Sequence, residues 1–197
     1  MKVVILGSGT GTNAEAVLSA IAAEKLEGTE AVAVYSDVDN AGILERAARF
    51  EVKTVHLSAA PHRTKLDGEA QNLWIETIRA DAPDLIVLAG FMRVLKPPFL
   101  QAFPNKIINS HPSLLPSFPG LEAIRQAYVA GVKITGCTIH WVNEEVDRGE
   151  IVVQAPVRIM PGDTLDLLEQ KIHAAEHVVF PSVIRDLAAG AIPFPGA

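Results

Sequence analysis

Lys2-Val3-Val4-Ile5-Leu6-Gly7-Ser8-Gly9-Thr10-Gly11-Thr12-Asn13 opens the chain, and its reading decides the fold class. The first residues form an apolar, β-branched run that favours a strand. The run stops at Gly7, and Gly9 and Gly11 follow closely. Ala14 to Ala23 then reads as a helix. Strand, glycine-rich turn and helix begin a βαβ unit, which implies a right-handed crossover and a parallel sheet. The glycines let the backbone turn sharply and approach a ligand, and free N–H groups at the following helix start attract an anion. Thr12 and Asn13 add side-chain donors, so the natural guest of this turn is a phosphate. The dinucleotide fingerprint asks for a further glycine where this chain has Thr12. Asp37, at the end of the next strand, keeps a nicotinamide-dinucleotide reading open.

The alternation continues outward. Glu30 to Tyr35 reads as a strand, Ala41 to Phe50 as a helix, and Val52 to Leu57 as a strand. Arg63 to Ala80 has a helical pattern weakened at Gly68. Asp84 to Ala89 is nearly continuous apolar sequence, as expected of a strand buried on both faces. Lys106 to Asn109 is another short strand. Ser110 to Gly120 is rich in proline and reads as a loop, and Leu121 to Ala130 as a short helix. Lys133 to Val142 and Ile151 to Ile159 are strands joined by the acidic turn Asn143 to Glu150, a connection short enough for an antiparallel pair. Leu165 to Ala188 is a long helix, and Pro193 to Ala197 a tail. The expected fold is α/β and Rossmann-like: a mostly parallel open sheet with helices on both faces and antiparallel C-terminal strands.

Composition narrows the function. The chain has 197 residues, 49% of them hydrophobic and 20% charged, which excludes intrinsic disorder and suits one domain. There is no run of about 18 apolar residues to cross a membrane, and the first apolar run is too short for a signal peptide. The single cysteine, Cys137, excludes an internal disulfide framework, and the cytosol is the expected compartment. The net charge of −6 argues against a general nucleic-acid binder.

Three further segments carry candidate chemistry. Asn109-Ser110-His111-Pro112-Ser113-Leu114-Leu115-Pro116 follows a strand, where open α/β sheets place ligands. Asn109 offers an amide donor, and His111 can move a proton near neutral pH. Asp147-Arg148-Gly149 lies in an acidic hairpin. Either it is a solvated surface turn, or Asp147 folds back onto His111 and favours the charged imidazole. His173-Ala174-Ala175-Glu176-His177 matches the inverted zinc-protease pattern H-x-x-E-H. Little chain follows it to supply a third ligand, so no metal is expected. The helix face is then structural or offers His173 and Glu176 to a polar substrate.

Taken in order, Gly9 to Asn13, Leu88 to Leu95, Asn109 to Pro116 and Gly136 to Gly149 resemble the folate-dependent phosphoribosylglycinamide formyltransferases. The resemblance covers nearly the whole chain. It implies formyl transfer from 10-formyltetrahydrofolate to the amine of glycinamide ribonucleotide in purine synthesis, with no metal. Residues 1–105 would form the phosphate-binding half, and residues 106–197 the folate-binding and catalytic half. Asn109 would bond the formyl oxygen, His111 would stabilise the oxyanion and act as general acid, and Asp147 would hold His111. Gly11, Thr12 and Asn13 match the phosphate site. His173 and Glu176 match the rest of the ribonucleotide site, with His173 where relatives often carry Gln. Met92, Arg93, Val94 and Leu95 match the pterin pocket, together with Asn109, and Asn143, Glu144, Glu145, Val146 and Asp147 match the loop over it. The basic residue that reaches the folate is either Arg63 or Lys65. The expected partners are these two substrates, without nucleic acid or membrane, on a monomer or weak homodimer. The competing readings are another user of 10-formyltetrahydrofolate, such as a hydrolase or a tRNA formyltransferase, and a nicotinamide-binding Rossmann module.

Overall fold

The computed structural model describes residues 1–196. Ala197, the end of the expected tail, lies outside the described residues. Five parallel strands make most of the main sheet: β1 (Lys2–Leu6), β2 (Glu30–Ser36), β3 (Thr54–His56), β5 (Leu85–Leu88) and β7 (Ile107–His111). Antiparallel β8 (Ile134–Trp141) and β9 (Ile151–Arg158) complete it, in the order β3-β2-β1-β5-β7-β8-β9. A second, two-stranded sheet pairs β4 (Lys65–Leu66) with β6 (Val94–Leu95). Six helices accompany the strands among the described residues: α1 (Thr12–Ala22), α2 (Gly42–Ala48), α3 (Gly68–Ala80), α4 (Pro97–Ala102), α5 (Ala123–Val129) and α6 (Leu165–Ala188). The expected α/β architecture is therefore present, antiparallel end included.

The continuous apolar sequence of β1 has a direct cause. Successive side chains of a strand point to opposite faces, and here both faces are covered. Val3 and Ile5 pack with Val17, Leu18, Phe180, Val183 and Ile184 of α1 and α6. Val4 and Leu6 pack with Trp74, Ile78 and Phe99 of α3 and α4. Each such fully buried side chain is worth about 1.5–3 kcal/mol relative to exposure. Among the described residues, no helix is long and apolar enough to cross a membrane.

Several boundaries differ from the sequence expectation. The helix expected from Arg63 starts at Gly68, because Asp67 caps it by accepting from the Gly68 N–H at 2.8 Å. Lys65 and Leu66 are instead a strand beside Val94 and Leu95. Ser110 and His111 belong to β7 rather than to the loop, since β8 pairs with them as far as His111. The helix expected over residues 41–50 is trimmed to Gly42–Ala48, and the strand expected over 52–57 to Thr54–His56. The short helix α4 has no clear sequence signal; prolines at its first turn suit a helix start but read as breakers in sequence.

Candidate active site

β1 connects to β2 on one side of the sheet, while β5 leads to β7 on the other. Ligands of open α/β sheets sit outside the strand ends at such a reversal. The glycine-rich turn after β1 and the Gly90–Arg93 connection after β5 flank this crevice. The end of β7 lies next to them.

Asn109 and His111 are two apart on β7 and so share one face. Opposite Asn109, in register on β8, stands His140. The His140 Nδ1 lies 2.9 Å from the Trp141 carbonyl, which can only accept. Nδ1 therefore carries the ring hydrogen, and Nε2 is left to accept from the Asn109 amide nitrogen at 3.2 Å. Burial pushes the His140 pKa down, outweighing the Trp141 hydrogen bond and the nearby Asp147 charge, so the neutral ring is favoured. The Asn109 amide is thus fixed by one hydrogen and keeps the other free. The sequence carries no motif that singles out His140. Its register opposite Asn109 marks it only once the antiparallel pairing is known.

His111 is buried. Its Nε2 donates to the Phe118 carbonyl at 2.9 Å, and its Nδ1 lies 3.4 Å from Asp147 Oδ2. The other Asp147 oxygen lies 3.8 Å from His140 Nε2. Asp147 also accepts from the Gly120 N–H at 2.8 Å. The acidic hairpin thus folds back onto His111 rather than standing free in solvent. Its path depends on Asp147 in the left-handed region (φ 56) and on Gly149. A Cβ on Gly149 would sit 1.6 Å from the Trp141 carbonyl oxygen. Backbone cannot yield as a flexible side chain can, so Gly149→Ala should cost about 3 kcal/mol or more. Urea denaturation checks this, and an unchanged midpoint would mean that the hairpin is not built on that contact.

On the opposite face of β7, Ser110 donates to Glu176 Oε1 at 2.6 Å. Glu176 Oε2 accepts from Asn13 at 3.1 Å and meets His173 Nδ1 at 2.9 Å. Burial opposes charge on this carboxyl, yet the bonds from His173, Ser110 and Asn13 prevail and hold its pKa below the usual value. The Glu176 hydrogen bond in turn raises the His173 pKa, against the effect of burial. No local pattern in the sequence marks Ser110, because its partner Glu176 lies 66 residues away on α6. The H-x-x-E-H carboxylate is thus spent on three donors. Among the described residues, no three His, Cys, Asp or Glu side chains are grouped to hold a metal ion.

The glycine-rich turn presents backbone donors. Among the described residues, the N–H groups of Gly9, Thr10 and Gly11 have no hydrogen-bond partner in the chain. Those of Thr12, Asn13 and Ala14 begin α1 and have no carbonyl four residues back within the helix. The turn's carbonyls are tied elsewhere. Gly9 O accepts from the Ile43 N–H at 3.1 Å, and Thr10 O from Arg46 Nε at 2.9 Å. Arg46 is itself paired with Glu15. Gly11 (φ 82) is required, because a Cβ there would meet Ile43 Cα at 2.4 Å.

Along the crevice, Met92 is exposed, Val94 is half-buried and Leu95 is buried. The Arg93 side chain turns back into the protein to pair with Asp37. Asn143, Glu144, Glu145 and Val146 form the exposed tip of the hairpin, with the Asn143 carbonyl oxygen of the side chain accepting from the Glu145 N–H at 3.0 Å. Lys65 stands in register with Val94, but its ammonium is paired with Asp67. Arg63 is exposed.

Known proteins resemble this chain over nearly its whole length. The Formyl transferase family model matches residues 1–184. The phosphoribosylglycinamide formyltransferase of Bacillus subtilis is 40% identical over 186 residues, 94% of each chain. The trifunctional purine biosynthetic protein adenosine-3 of Drosophila pseudoobscura pseudoobscura is 43% identical over 97% of this chain, which spans 14% of that longer protein. In three dimensions, the crystal structure of glycinamide ribonucleotide transformylase 1 from Symbiobacterium toebii matches with a TM-score of 0.92 at 42% identity, covering 100% of this chain and 91% of that one.

Proposed function

The chain belongs to the formyl transferase family, and from that premise we propose that it moves a formyl group from 10-formyltetrahydrofolate to the amine of 5'-phosphoribosylglycinamide. The products are the N-formyl ribonucleotide and tetrahydrofolate, in purine biosynthesis. The observation that carries this reading is Asn109 and His111 side by side at the end of β7, with Asp147 folded back onto His111.

The amine nitrogen attacks the formyl carbon, and the carbonyl electrons move onto oxygen. The new nitrogen–carbon bond forms, the bond from carbon to the folate nitrogen breaks, and the amine proton passes to that leaving nitrogen. Asn109 meets the oxygen with the amide hydrogen that His140 leaves free. His111, held at Nε2 by the Phe118 carbonyl, brings its Nδ1 edge to the oxyanion and to the proton. Asp147 stabilises the ring while it is charged. Donors fixed before reaction act without reorganising, which makes each worth about 3–4 kcal/mol of barrier.

The donors of Gly9 to Ala14 suit the ribonucleotide phosphate, with Gly11, Thr12 and Asn13 at the helix start where the dipole favours an anion. Such local dipoles matter because the net charge of −6 would not draw an anion in. Glu176 and His173, beside Asn13, take the ribose or the amine. Met92 to Leu95 wall the pterin, and Asn143 to Asp147 close over it. Of the two basic candidates for the folate tail, Arg63 is favoured, because Lys65 is already paired with Asp67. Nicotinamide binding is disfavoured, since the Asp37 carboxylate is occupied by Ser8 and Arg93.

A direct assay with glycinamide ribonucleotide and 10-formyltetrahydrofolate decides the matter. Turnover of both is the expected result. Hydrolysis of the formyl donor without transfer would instead assign the chain to another branch of the family.

A further inference from the structure

Asp37 directly follows β2, where a dinucleotide-binding sheet carries the carboxylate that reads a ribose. Here that carboxylate is 0% exposed, and both oxygens are engaged. Oδ1 accepts from the Ser8 hydroxyl, and Oδ2 accepts from Arg93 Nε at 2.6 Å. The Ser8 oxygen also accepts from the Met92 N–H at 2.8 Å, and the Ser8 N–H donates to the Gly90 carbonyl at 3.0 Å. Three separate connections, after β1, β2 and β5, are therefore stitched into one unit across the crevice.

We propose that Asp37 is a positioning residue for the folate wall, holding Arg93 and Ser8 so that Met92 to Leu95 stand ready for the pterin. The proposal rests on the formyl-transfer reading above. In this chain, the carboxylate that elsewhere reads a dinucleotide ribose builds the pocket of a different ligand. The chemistry favours such a role. A carboxylate accepting from a guanidinium makes a short, directional, charge-assisted bond. Removing one partner leaves the other charge buried and unpaired, which displaces whatever it was holding. Arg93 has the exposed Met92 on one side and Val94 of β6 on the other, so its displacement moves the wall itself. The phosphate-binding residues Gly9 to Ala14 lie beyond Ser8 and have further supports of their own. Ile43 and Arg46 fix the turn's carbonyls without reference to Asp37.

The effect should therefore divide unequally between the two substrates. Asp37→Asn, Arg93→Gln and the double variant are compared with the wild type. KM is measured for each substrate, and calorimetry gives the affinities for tetrahydrofolate and for glycinamide ribonucleotide. Asp37→Asn should raise the formyl-donor KM and the tetrahydrofolate Kd about 10-fold or more. The ribonucleotide constants, and kcat at saturating donor, should stay within about 3-fold. The double variant leaves no unpaired buried charge, so it should fold and lose no more donor affinity than Asp37→Asn alone. Equal shifts for both substrates, unchanged donor affinity, or a double loss equal to the product of the single losses would each overturn the proposal. Tight binding of a nicotinamide dinucleotide to the wild type would overturn it as well, since Asp37 would then have to leave its partners. Wild-type protein that turns over nothing refutes the formyl-transfer reading, and this proposal with it. Wild-type turnover with an unaltered Asp37→Asn refutes the proposal alone.

Discussion

Replacing His111 with Ala lowers the turnover of formyl transfer about 100-fold or more, while both substrates still bind. The imidazole is held at Nε2 by the Phe118 carbonyl, while Asp147 stands 3.4 Å from Nδ1 without a hydrogen bond to it. That arrangement fixes where the ring's hydrogens point before substrates arrive. Removing the ring removes an oxyanion donor and the proton path together, and positioned acid–base groups alone contribute about 10²–10⁴-fold. Asp147→Asn should give a loss of similar order through a different cause. The amide can still accept from the Gly120 N–H, so the hairpin keeps its anchor, but the charge facing the imidazole is gone. Because the two residues act as one unit, the double variant should be little worse than the poorer single variant. Steady-state kinetics at saturating substrates, with calorimetric affinities for both ligands, measures all of this. Near-normal turnover in either single variant would remove these residues from the mechanism. Loss of substrate binding, with chemistry intact once bound, would make them binding residues instead.

How much of this was legible in the sequence depends on the distance over which each signal acts. The β1 run and the glycines after it are local, so the strand, the turn and the helix that follow could be read directly. The long helix α6 was legible for the same reason, and its span agrees with the expectation. What failed was also local, but ambiguous. Asp67 and Gly68 interrupt a helical pattern in which a two-residue strand cannot be seen. Ser110 and His111 look like loop beside three prolines until β8 pairs with them. The site divides in the same way. Asn109 and His111 show as a short motif, and the approach of Asp147 was available only as one of two readings. His140 and Ser110 come into view through cross-strand register and through a helix packed on the far face, and no spacing along the chain encodes either. Asp37 is the instructive case. Its position and type matched the dinucleotide pattern, yet its partner Arg93 lies 56 residues away and changes what the carboxylate is for.

Glu176→Ala should carry the other large penalty, and pH should reveal how. The carboxylate is 3% exposed and receives three donors, Ser110, Asn13 and His173. Truncation leaves Ser110 and Asn13 facing a small cavity, and an unsatisfied buried donor costs about 1–3 kcal/mol, while the half-exposed His173 is screened by water and adds little. If the carboxylate also meets the ribonucleotide, affinity for that substrate should fall about 100-fold with little change for the folate, since a bond to a charged group is worth about 1.5–3 kcal/mol. The sign of the pH dependence follows from the two shifts. The folded Glu176 pKa is depressed, so its contribution is present above the unfolded carboxylate value and is lost as pH falls through the folded one. The folded His173 pKa is raised, so its contribution is full below the unfolded imidazole value and is lost as pH rises through the folded one. Both groups are charged together between about pH 4.5 and 6.5. The stability difference between wild type and Glu176→Ala should therefore be greatest in that window and shrink on either side. His173→Gln, whose amide cannot titrate, should flatten the alkaline limb and leave the acid limb in place. Thermal melts from pH 4 to 9 on the three proteins test the assignment. A difference that stays level on the alkaline side while still shrinking on the acid side would mean that the buried carboxylate draws its stability from Ser110 and Asn13 without the imidazole.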